Sequence, residues 1–244
     1  MKTSLVLLFL TLPIVAISQE SSNQLLVLGL TYSQMNYEEP GAMTEKGGNG
    51  GVQGEFFYGL GASWNVSVFG GYWDGRLFYD GATFSGTPVQ TITRDYIADA
   101  RLYLNANFSP FQISIGYGRR FWYNDMVISY RRRTEYNFVP IILKYTSGSI
   151  YYRVEYDIWA GGLNRSHMSD TGGGRTDVEF KQNSGTGFGG EVGWMFGSNP
   201  ATIIFLNLHR WDVEASETGF DGVDLLVEPK NNTQTITLGI GLGF

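Results

Sequence analysis

Apolar and polar residues alternate with a period of two along most of this chain. The clearest stretch is 149–161, where every second residue is apolar: Ile150, Tyr152, Val154, Tyr156 and Ile158. Successive side chains of a β-strand point to opposite faces, so this period predicts a strand with one apolar and one mixed face. The pattern predicts ten such strands, at about 25–38, 50–62, 64–76, 93–108, 110–124, 136–146, 149–161, 184–196, 201–214 and 232–244.

The connections between the predicted strands are short and long in turn. Ser-Pro, Ser-Gly-Ser and Asn-Pro sequences favour tight turns. Four short turns are predicted at 62–65, 108–110, 147–149 and 197–200. Five long polar connections are predicted at 39–49, 77–92, 125–135, 162–183 and 215–231. Both ends of the barrel-forming chain then lie on the side of the short turns.

This arrangement favours a membrane-spanning barrel over a soluble β-sandwich. A sandwich exposes its polar faces to water, whereas the polar faces here also carry large aromatic residues, such as Trp159 beside Asp157. Transmembrane barrels combine long strands, short turns on one side and long loops on the other. Open sheet edges cannot be hydrogen-bonded in lipid, so the sheet must close. We therefore expect an all-β, antiparallel, up-and-down transmembrane barrel of about ten strands, with eight or twelve as alternatives.

Composition agrees with a β protein and removes several classes of function. The 244-residue chain has 33 glycines, 15% aromatic residues and 16% charged residues. It contains no cysteine, which excludes a disulfide scaffold and a cysteine-ligated metal site. No motif indicates a metal ion, a cofactor or a serine nucleophile. The formal charge of −6 gives no reason to expect a nucleic-acid partner.

The first 18 residues have the pattern of a secretory signal peptide. Lys2 supplies the positive charge, residues 5–17 are rich in apolar side chains, and Ala16 and Ser18 are the small residues before a cut at Gln19. A membrane anchor needs about 20 apolar residues, more than this segment has. We expect a cleaved signal peptide at 1–18 and an outer-membrane barrel domain at 19–244.

The polar faces of the predicted strands place nine charged residues in the barrel interior. They are Glu55, Asp99, Arg101, Arg120, Lys144, Arg153, Glu155, Asp157 and Glu191. Buried charges persist only when they are paired and hydrogen-bonded. Large side chains such as Tyr103 and Trp211 also point inward, and a barrel of this size is narrow enough for side chains to fill. We expect a filled lumen, with a narrow charged channel as the alternative and a structural role for the inward His209.

The signal peptide, the alternating strands and the final aromatic residue together resemble bacterial outer-membrane β-barrel proteins. Residues 233–244 alternate perfectly and end in Phe244. The resemblance implies that Phe244 is read by the barrel-assembly machinery. Three sequences resemble a group of small ten-stranded outer-membrane barrels more narrowly: YEEPGAM at 37–43, GYGRRFWYND at 116–125 and EPKNNT at 228–233. The resemblance implies a location in the bacterial outer membrane and names no activity, and we expect a monomer.

The predicted external loops carry a basic run and two glycine-rich stretches. Arg131, Arg132 and Arg133 lie in the third long loop. Such a cluster can bind phosphates of lipopolysaccharide through charge-assisted hydrogen bonds, although a solvated loop is the plainer interpretation. The stretches 47–51 and 172–174 lack the Lys-Ser/Thr of a phosphate-binding loop and predict flexible loops. Aromatic girdles are expected at the two membrane interfaces from Tyr32, Tyr58, Tyr72, Tyr145, Tyr156 and Trp194.

One histidine suggests an enzymatic alternative. His167 lies in the longest predicted loop, three residues before Asp170, and a His–Asp pair can activate water. Ten strands with such a pair in the fourth long loop resemble the omptin surface proteases. That resemblance implies two more carboxylates across the barrel mouth, for which Asp74 and Asp80 are candidates. In omptins the acid precedes the histidine by two residues, unlike here, and we expect these four residues not to converge.

The expected function is therefore non-enzymatic: a structural or surface-interacting outer-membrane barrel with its specificity in the external loops. The expected partners are outer-membrane lipid, lipopolysaccharide and, during biogenesis, the assembly machinery. A narrow channel and an omptin-like hydrolase are the alternatives. The sequence identifies no external ligand.

Overall fold

The computed structural model describes residues 24–83, 86–126, 129–198 and 200–244. The predicted signal peptide and position 199 of the last short turn lie outside these residues. The strands are β1 Gln24–Glu39, β2 Met43–Gly59, β3 Trp64–Ala82, β4 Pro88–Phe108, β5 Phe111–Asp125, β6 Arg131–Ser147, β7 Ile150–Ser166, β8 Val178–Gln182, β9 Gly185–Phe196, β10 Ala201–Val213, β11 Gly219–Phe220, β12 Leu225–Leu226 and β13 Asn231–Gly243. A short 3₁₀ helix spans Met168–Thr171.

The strands form a closed antiparallel barrel. Each strand from β1 to β7 pairs with the next one in sequence, β7 pairs with β9, β9 with β10, β10 with β13, and β13 with β1. In the described part of the chain, ten strands thus close the wall, as predicted. The short strand β8 pairs with the outer end of β7, and β11 and β12 form a separate hairpin. Among the described residues, no helix is long and apolar enough to cross a bilayer.

A continuous band of apolar side chains covers the outside of the barrel on the short-turn side. On β1 this band runs through Leu28, Leu30 and Tyr32 and ends at Gln34. On β10 it ends between Leu208 and Arg210. The six predicted girdle aromatics all point outward. Side chains facing lipid must be apolar and every backbone group must be paired within the wall, which is why this sequence closes into a barrel.

Several strands continue beyond the apolar band, where long loops were predicted. The turn between β1 and β2 comprises only residues 40–42, and β2 includes the glycine-rich stretch 47–51 that was predicted to be a flexible loop. The predicted loops at 77–92 and 125–135 are also largely strand. These predictions were wrong because both faces of a strand can be polar above the membrane. The apolar alternation then fades while the backbone pairing continues, and the barrel wall rises above the bilayer.

Interior glycines make room for large side chains that cross the lumen. A Cβ atom added to Gly239 would lie 2.1 Å from the Phe205 ring on the neighbouring strand. Ile236, Leu238 and Ile240 on the same strand face outward. The alternation in the last strand therefore combines a lipid-facing row with an inner row of glycines that accommodates an aromatic ring.

Two segments fold over the outer mouth of the barrel. One contains the 3₁₀ helix and residues 172–177, and the other is residues 214–230, which we call the outer cap. Arg175 forms ion pairs with Asp221 and Asp224 of the outer cap. Gly219 packs against the inward face of β8. The outer cap is thus held to the first segment by ion pairs and to β8 by close packing.

Candidate functional site

The part of the lumen enclosed by the apolar band, here called the lower lumen, contains a network centred on Arg101. The guanidinium of Arg101 donates two hydrogen bonds to Asp99, at 2.9 and 2.7 Å, and also pairs with Glu155. Arg153 reaches the second oxygen of Glu155 at 2.5 Å. Two bases and two acids are therefore joined across β4 and β7. The sequence left the partner of Arg153 open, and the structure assigns it to Glu155.

The lower lumen also encloses a cavity of about 250 Å³. Its lining runs from Leu25, Met195 and Ile203 at the rim beside the short turns to Arg120 at the deeper end. Apolar side chains surround its entrance, and charged and aromatic side chains line its interior. The cavity has the size of a site for a few water molecules or a small ligand.

All nine residues predicted to form a lumen network point into the barrel. Eight of them line the cavity: Glu55, Asp99, Arg101, Arg120, Lys144, Arg153, Glu155 and Glu191. The ninth, Asp157, is fully buried beside them. They do not form one continuous network, because Glu55 bonds to Ser67 at 2.7 Å and Lys144 lies over the Tyr151 ring at 4.4 Å. Within the described residues, neither Lys144 nor Arg120 makes an ion pair.

Above the apolar band, the lumen contains a second buried cluster that the sequence did not predict. We call it the upper plug. Its centre is Arg132, which is 2% exposed and pairs with Glu39 at 2.7 Å, Glu228 at 3.4 Å and Glu45 at 3.7 Å. The guanidinium also lies over the Tyr37 ring at 5.1 Å. The outer cap supplies Glu228, so this cluster ties the cap to the barrel wall.

The upper plug contains four buried acids, and burial raises the pKa values of three of them. Burial raises the pKa of Glu45 to about 8 and the pKa of Glu228 to about 8, although Arg132 acts in the opposite direction. A fourth acid, Asp95, accepts hydrogen bonds from Trp122 at 2.8 Å and Asn124 at 2.7 Å. Burial also raises the pKa of Asp95. One guanidinium cannot neutralise four buried carboxylates, and the raised pKa values of Glu45, Glu228 and Asp95 favour their protonated forms.

Apolar side chains complete the plug and are buried together above the apolar band. They are Met35, Tyr37, Met43, Leu77, Tyr79, Ile97, Trp122 and Met126. The lining of the lower-lumen cavity meets this cluster at Trp73, which packs against it, and at Ile97, which belongs to it. Sequence reasoning missed the plug because residues 39–49 and 215–231 were predicted to be loops. The alternation of inward positions at Met35, Tyr37 and Glu39 is the signal that continues into it.

The basic run 131–133 was predicted to lie in a solvated loop, with contact to lipopolysaccharide as the alternative. It lies instead on strand β6, and its side chains therefore alternate in direction. Arg131 points outward and pairs with Asp170 at 2.8 Å. Arg133 pairs with Glu135 and lies over the Phe121 ring. Arg132 points into the upper plug, so the alternative that it contacts lipopolysaccharide was wrong. A strand cannot present three consecutive side chains on one face.

The four residues of the hydrolase alternative are not brought together. His167 Nδ1 bonds to Asp177 at 2.8 Å, while the Asp170 carboxylate bonds to Arg131. A hydrogen bond from Ser169 lowers the pKa of Asp177, with His167 adding to the effect. The two carboxylates proposed to face them, on β3, point outward: Asp74 lies 3.9 Å from Arg94 and Asp80 accepts a bond from Gln90.

A closed antiparallel sheet with an apolar outer band and a charged interior defines a transmembrane β-barrel of the kind found in outer membranes. Neither a protein-family model nor a curated protein sequence matches this chain. Similar solved structures include the translocator domain of autotransporter NalP from Neisseria meningitidis, with 8% identity, a TM-score of 0.43 and coverage of 92% of this chain and 90% of that one.

Two further structures show the same low similarity. The toluene transporter TodX of Pseudomonas putida is 8% identical, with a TM-score of 0.38 and coverage of 91% of this chain and 89% of that one. The attachment invasion locus protein Ail of Yersinia pestis is 10% identical, with a TM-score of 0.37 and coverage of 91% and 99%. The class assignment therefore rests on the strand pairing and the outer band of this chain.

Proposed function

We propose that this protein is a bacterial outer-membrane barrel with a closed lumen, which acts as a structural or surface-interacting scaffold and is not an enzyme. The upper plug carries this proposal, because Arg132, its acids and the surrounding aromatic residues occupy the lumen above the apolar band. A solute entering from the outside meets packed side chains and the outer cap. The specificity then resides in the external segments.

The outer cap supports a role in surface interaction. Its hairpin presents apolar side chains to the surroundings, with Phe220 60% and Leu225 74% exposed. Exposed apolar groups that cluster on a soluble surface are often interaction sites. The expected partners along the wall are membrane lipid and lipopolysaccharide, with Arg131 and Arg133 as the outward arginines of the basic run. Phe244 is the proposed recognition point for the assembly machinery, and the barrel is proposed to be a monomer.

A narrow channel is the second candidate, and the cavity of the lower lumen favours it. A conducting state requires the upper plug to move, because the lining of the cavity meets this cluster at Trp73 and Ile97. Planar-bilayer recordings test the two candidates. The wild type should give no stable conductance, whereas Tyr37→Ala combined with Trp122→Ala should give larger and longer currents. Leu225→Ser, on the exposed cap, is the control and should behave as the wild type does.

These recordings need a check that each variant has folded. Folded barrels migrate differently in gels before and after heating, and this shift should be present in all three proteins. A stable, porin-sized conductance from the wild type would refute the closed-lumen proposal. The location is tested in the same strains: the protein should be recovered in the outer-membrane fraction, and recovery as a soluble periplasmic protein would contradict it.

The proposal that the protein is not an enzyme has its own test. Cells expressing the wild type or His167→Ala are incubated with a panel of peptides containing basic sites. Neither strain should cleave them, because His167 bonds to Asp177 and the carboxylates on β3 point away from the mouth. Cleavage by the wild type that is lost in His167→Ala would overturn the proposal.

A further inference from the structure

Three potential metal ligands meet at one wall of the lower lumen. Glu155 and Asp157 lie on β7, and His209 lies on β10, two strands away. Their ligand atoms all lie within 4.8 Å of one another. His209 Nε2 is 2.9 Å from an oxygen of Asp157 and 3.9 Å from an oxygen of Glu155. One histidine and two carboxylates within this distance form a common donor set for divalent transition metals.

The strand between them leaves space for this cluster. Strand β9 separates β7 from β10, and it places Gly187 beside Asp157 and Gly189 beside His209. A Cβ atom at Gly187 would lie 2.5 Å from the Asp157 carboxylate, and one at Gly189 would lie 2.7 Å from the His209 ring. Any other residue at either position would displace a ligand. The glycines let the two side chains meet across the intervening strand.

One ligand atom in the cluster has no partner. Asp157 is 0% exposed, and its Oδ1 atom makes no hydrogen bond among the described residues. Its other oxygen bonds to His209. A buried carboxylate oxygen without a donor costs free energy, and native structures rarely leave one unsatisfied. This oxygen is therefore available to bind a cation.

The local charge also calls for one more positive group. Counted over the whole lower lumen, five carboxylates face four cationic side chains, which leaves one formal negative charge: the acids are Glu55, Asp99, Glu155, Asp157 and Glu191, and the bases are Arg101, Arg120, Lys144 and Arg153. Either a proton on the His209–Asp157 pair or a bound cation can supply the balance. Ion pairs in a low-dielectric interior are stable only when the charge is compensated.

We propose that Glu155, Asp157 and His209 bind one divalent transition-metal ion, of which Zn²⁺ fits this donor set best. Nε2 of His209, the carboxylate of Asp157 and one oxygen of Glu155 are the three protein ligands, and the adjoining cavity admits a water molecule as the fourth. Arg101 and Arg153 hold the Glu155 carboxylate in place from the other side. The proposal does not depend on whether the lumen conducts.

The test uses folded, detergent-solubilised protein that has been treated with a chelator and then dialysed. Co²⁺ is titrated first, because its visible absorption reports tetrahedral coordination, and Zn²⁺ is then added to displace it. The wild type should bind one ion per chain. Co²⁺ should also quench part of the tryptophan fluorescence, because the Trp211 ring lies 5.2 Å from the His209 ring. No saturable binding by the wild type would overturn the proposal and leave the proton as the balancing charge.

Four variants decide which residues hold the ion. His209→Ala and Asp157→Asn should each weaken binding by at least roughly 100-fold, more than the loss of an outer partner usually causes. Glu191→Gln is the matched control, because this carboxylate lies in the same lumen and bonds to Tyr151 and Asn207 outside the cluster. It should bind as the wild type does, as should His167→Ala, which removes the other histidine of the chain. Unchanged binding in folded His209→Ala would refute the site.

Discussion

The lower lumen and the upper plug hold buried charges in two different ways. In the lower lumen, Arg101 and Arg153 share the carboxylates of Asp99 and Glu155, so fixed positive and negative groups nearly balance. In the upper plug, Arg132 alone faces three glutamates. This difference in charge compensation coincides with the upper boundary of the apolar band. Inside the apolar band, arginines supply most of the compensating charge. Above it the wall stands in water, and protons can supply more of this charge.

The largest effect is expected from breaking the lower network. Arg101→Ala leaves two buried carboxylates with one base, and it should lower the free energy of unfolding by about 3–5 kcal/mol. Urea unfolding of the barrel in lipid vesicles measures this loss. The double variant Arg101→Met, Asp99→Asn removes the base together with one acid, keeps the Arg153–Glu155 pair and should lose less. A single variant no less stable than the double variant would show that these charges are compensated by water.

Removing the base of the upper plug should have a smaller effect that depends on pH. In Arg132→Ala, Glu45 and Glu228 can hold protons, and this protonation costs little near pH 6, below their raised pKa values of about 8. At pH 9 it costs more, so the destabilisation should grow with pH and approach the roughly 3–5 kcal/mol of a broken buried pair. Urea unfolding at the two pH values measures the difference. An equal loss at both would mean that the two regions compensate charge in the same way.

The outer cap should loosen as the pH rises. The pKa of Glu228 is raised from 4.5 to about 8 in the folded state, so between these values the closed form holds a proton that the open form lacks. The closed form therefore loses stability as the pH rises from about 4.5 to about 8, and loses no more above it. Hydrogen exchange of residues 214–230 measures the opening. Glu228→Gln should reduce the pH dependence of cap opening. Glu217→Gln removes an exposed carboxylate bonded to Asn183 and should leave this pH dependence unchanged.

The smallest effect concerns packing within the apolar band. Gly239→Ala forces a methyl group against the Phe205 ring and should cost about 1–3 kcal/mol. Gly70→Ala is the matched control, because a Cβ at this outward glycine meets nothing within 4 Å. It should leave the free energy of unfolding nearly unchanged. Equal losses of unfolding free energy in the two variants would show that the lower lumen is loosely packed. The lower lumen would then differ from the upper plug only in how its charges are compensated.

The sequence predicted the structure well within the apolar band, where contact with lipid requires one face of each strand to be apolar. It predicted the structure poorly above the band, where no such requirement applies. Within the apolar band, the alternation correctly predicted the strands and the inward direction of residues such as Glu155 and Asp157. Above the band no solvent forces one face to be apolar, so Arg132 was placed in a loop and Glu228 was overlooked. His167 was paired with Asp170, its neighbour in sequence. Its partner is Asp177, because the 3₁₀ helix turns the chain and Ser169 helps to hold that carboxylate.

The seam between β1 and β13 has a consequence for how the barrel is made. Ser33 and Thr237 meet there with their hydroxyl oxygens 2.6 Å apart, although 204 residues separate them in the chain. Joining segments so distant in sequence carries a large loop-closure entropy and slows folding. Until the seam forms, two strand edges with unpaired backbone groups remain open to aggregation. Closure is therefore the folding step at which a chaperone would have its largest effect. By covering the unpaired edges of the first and last strands, it would prevent aggregation until they pair.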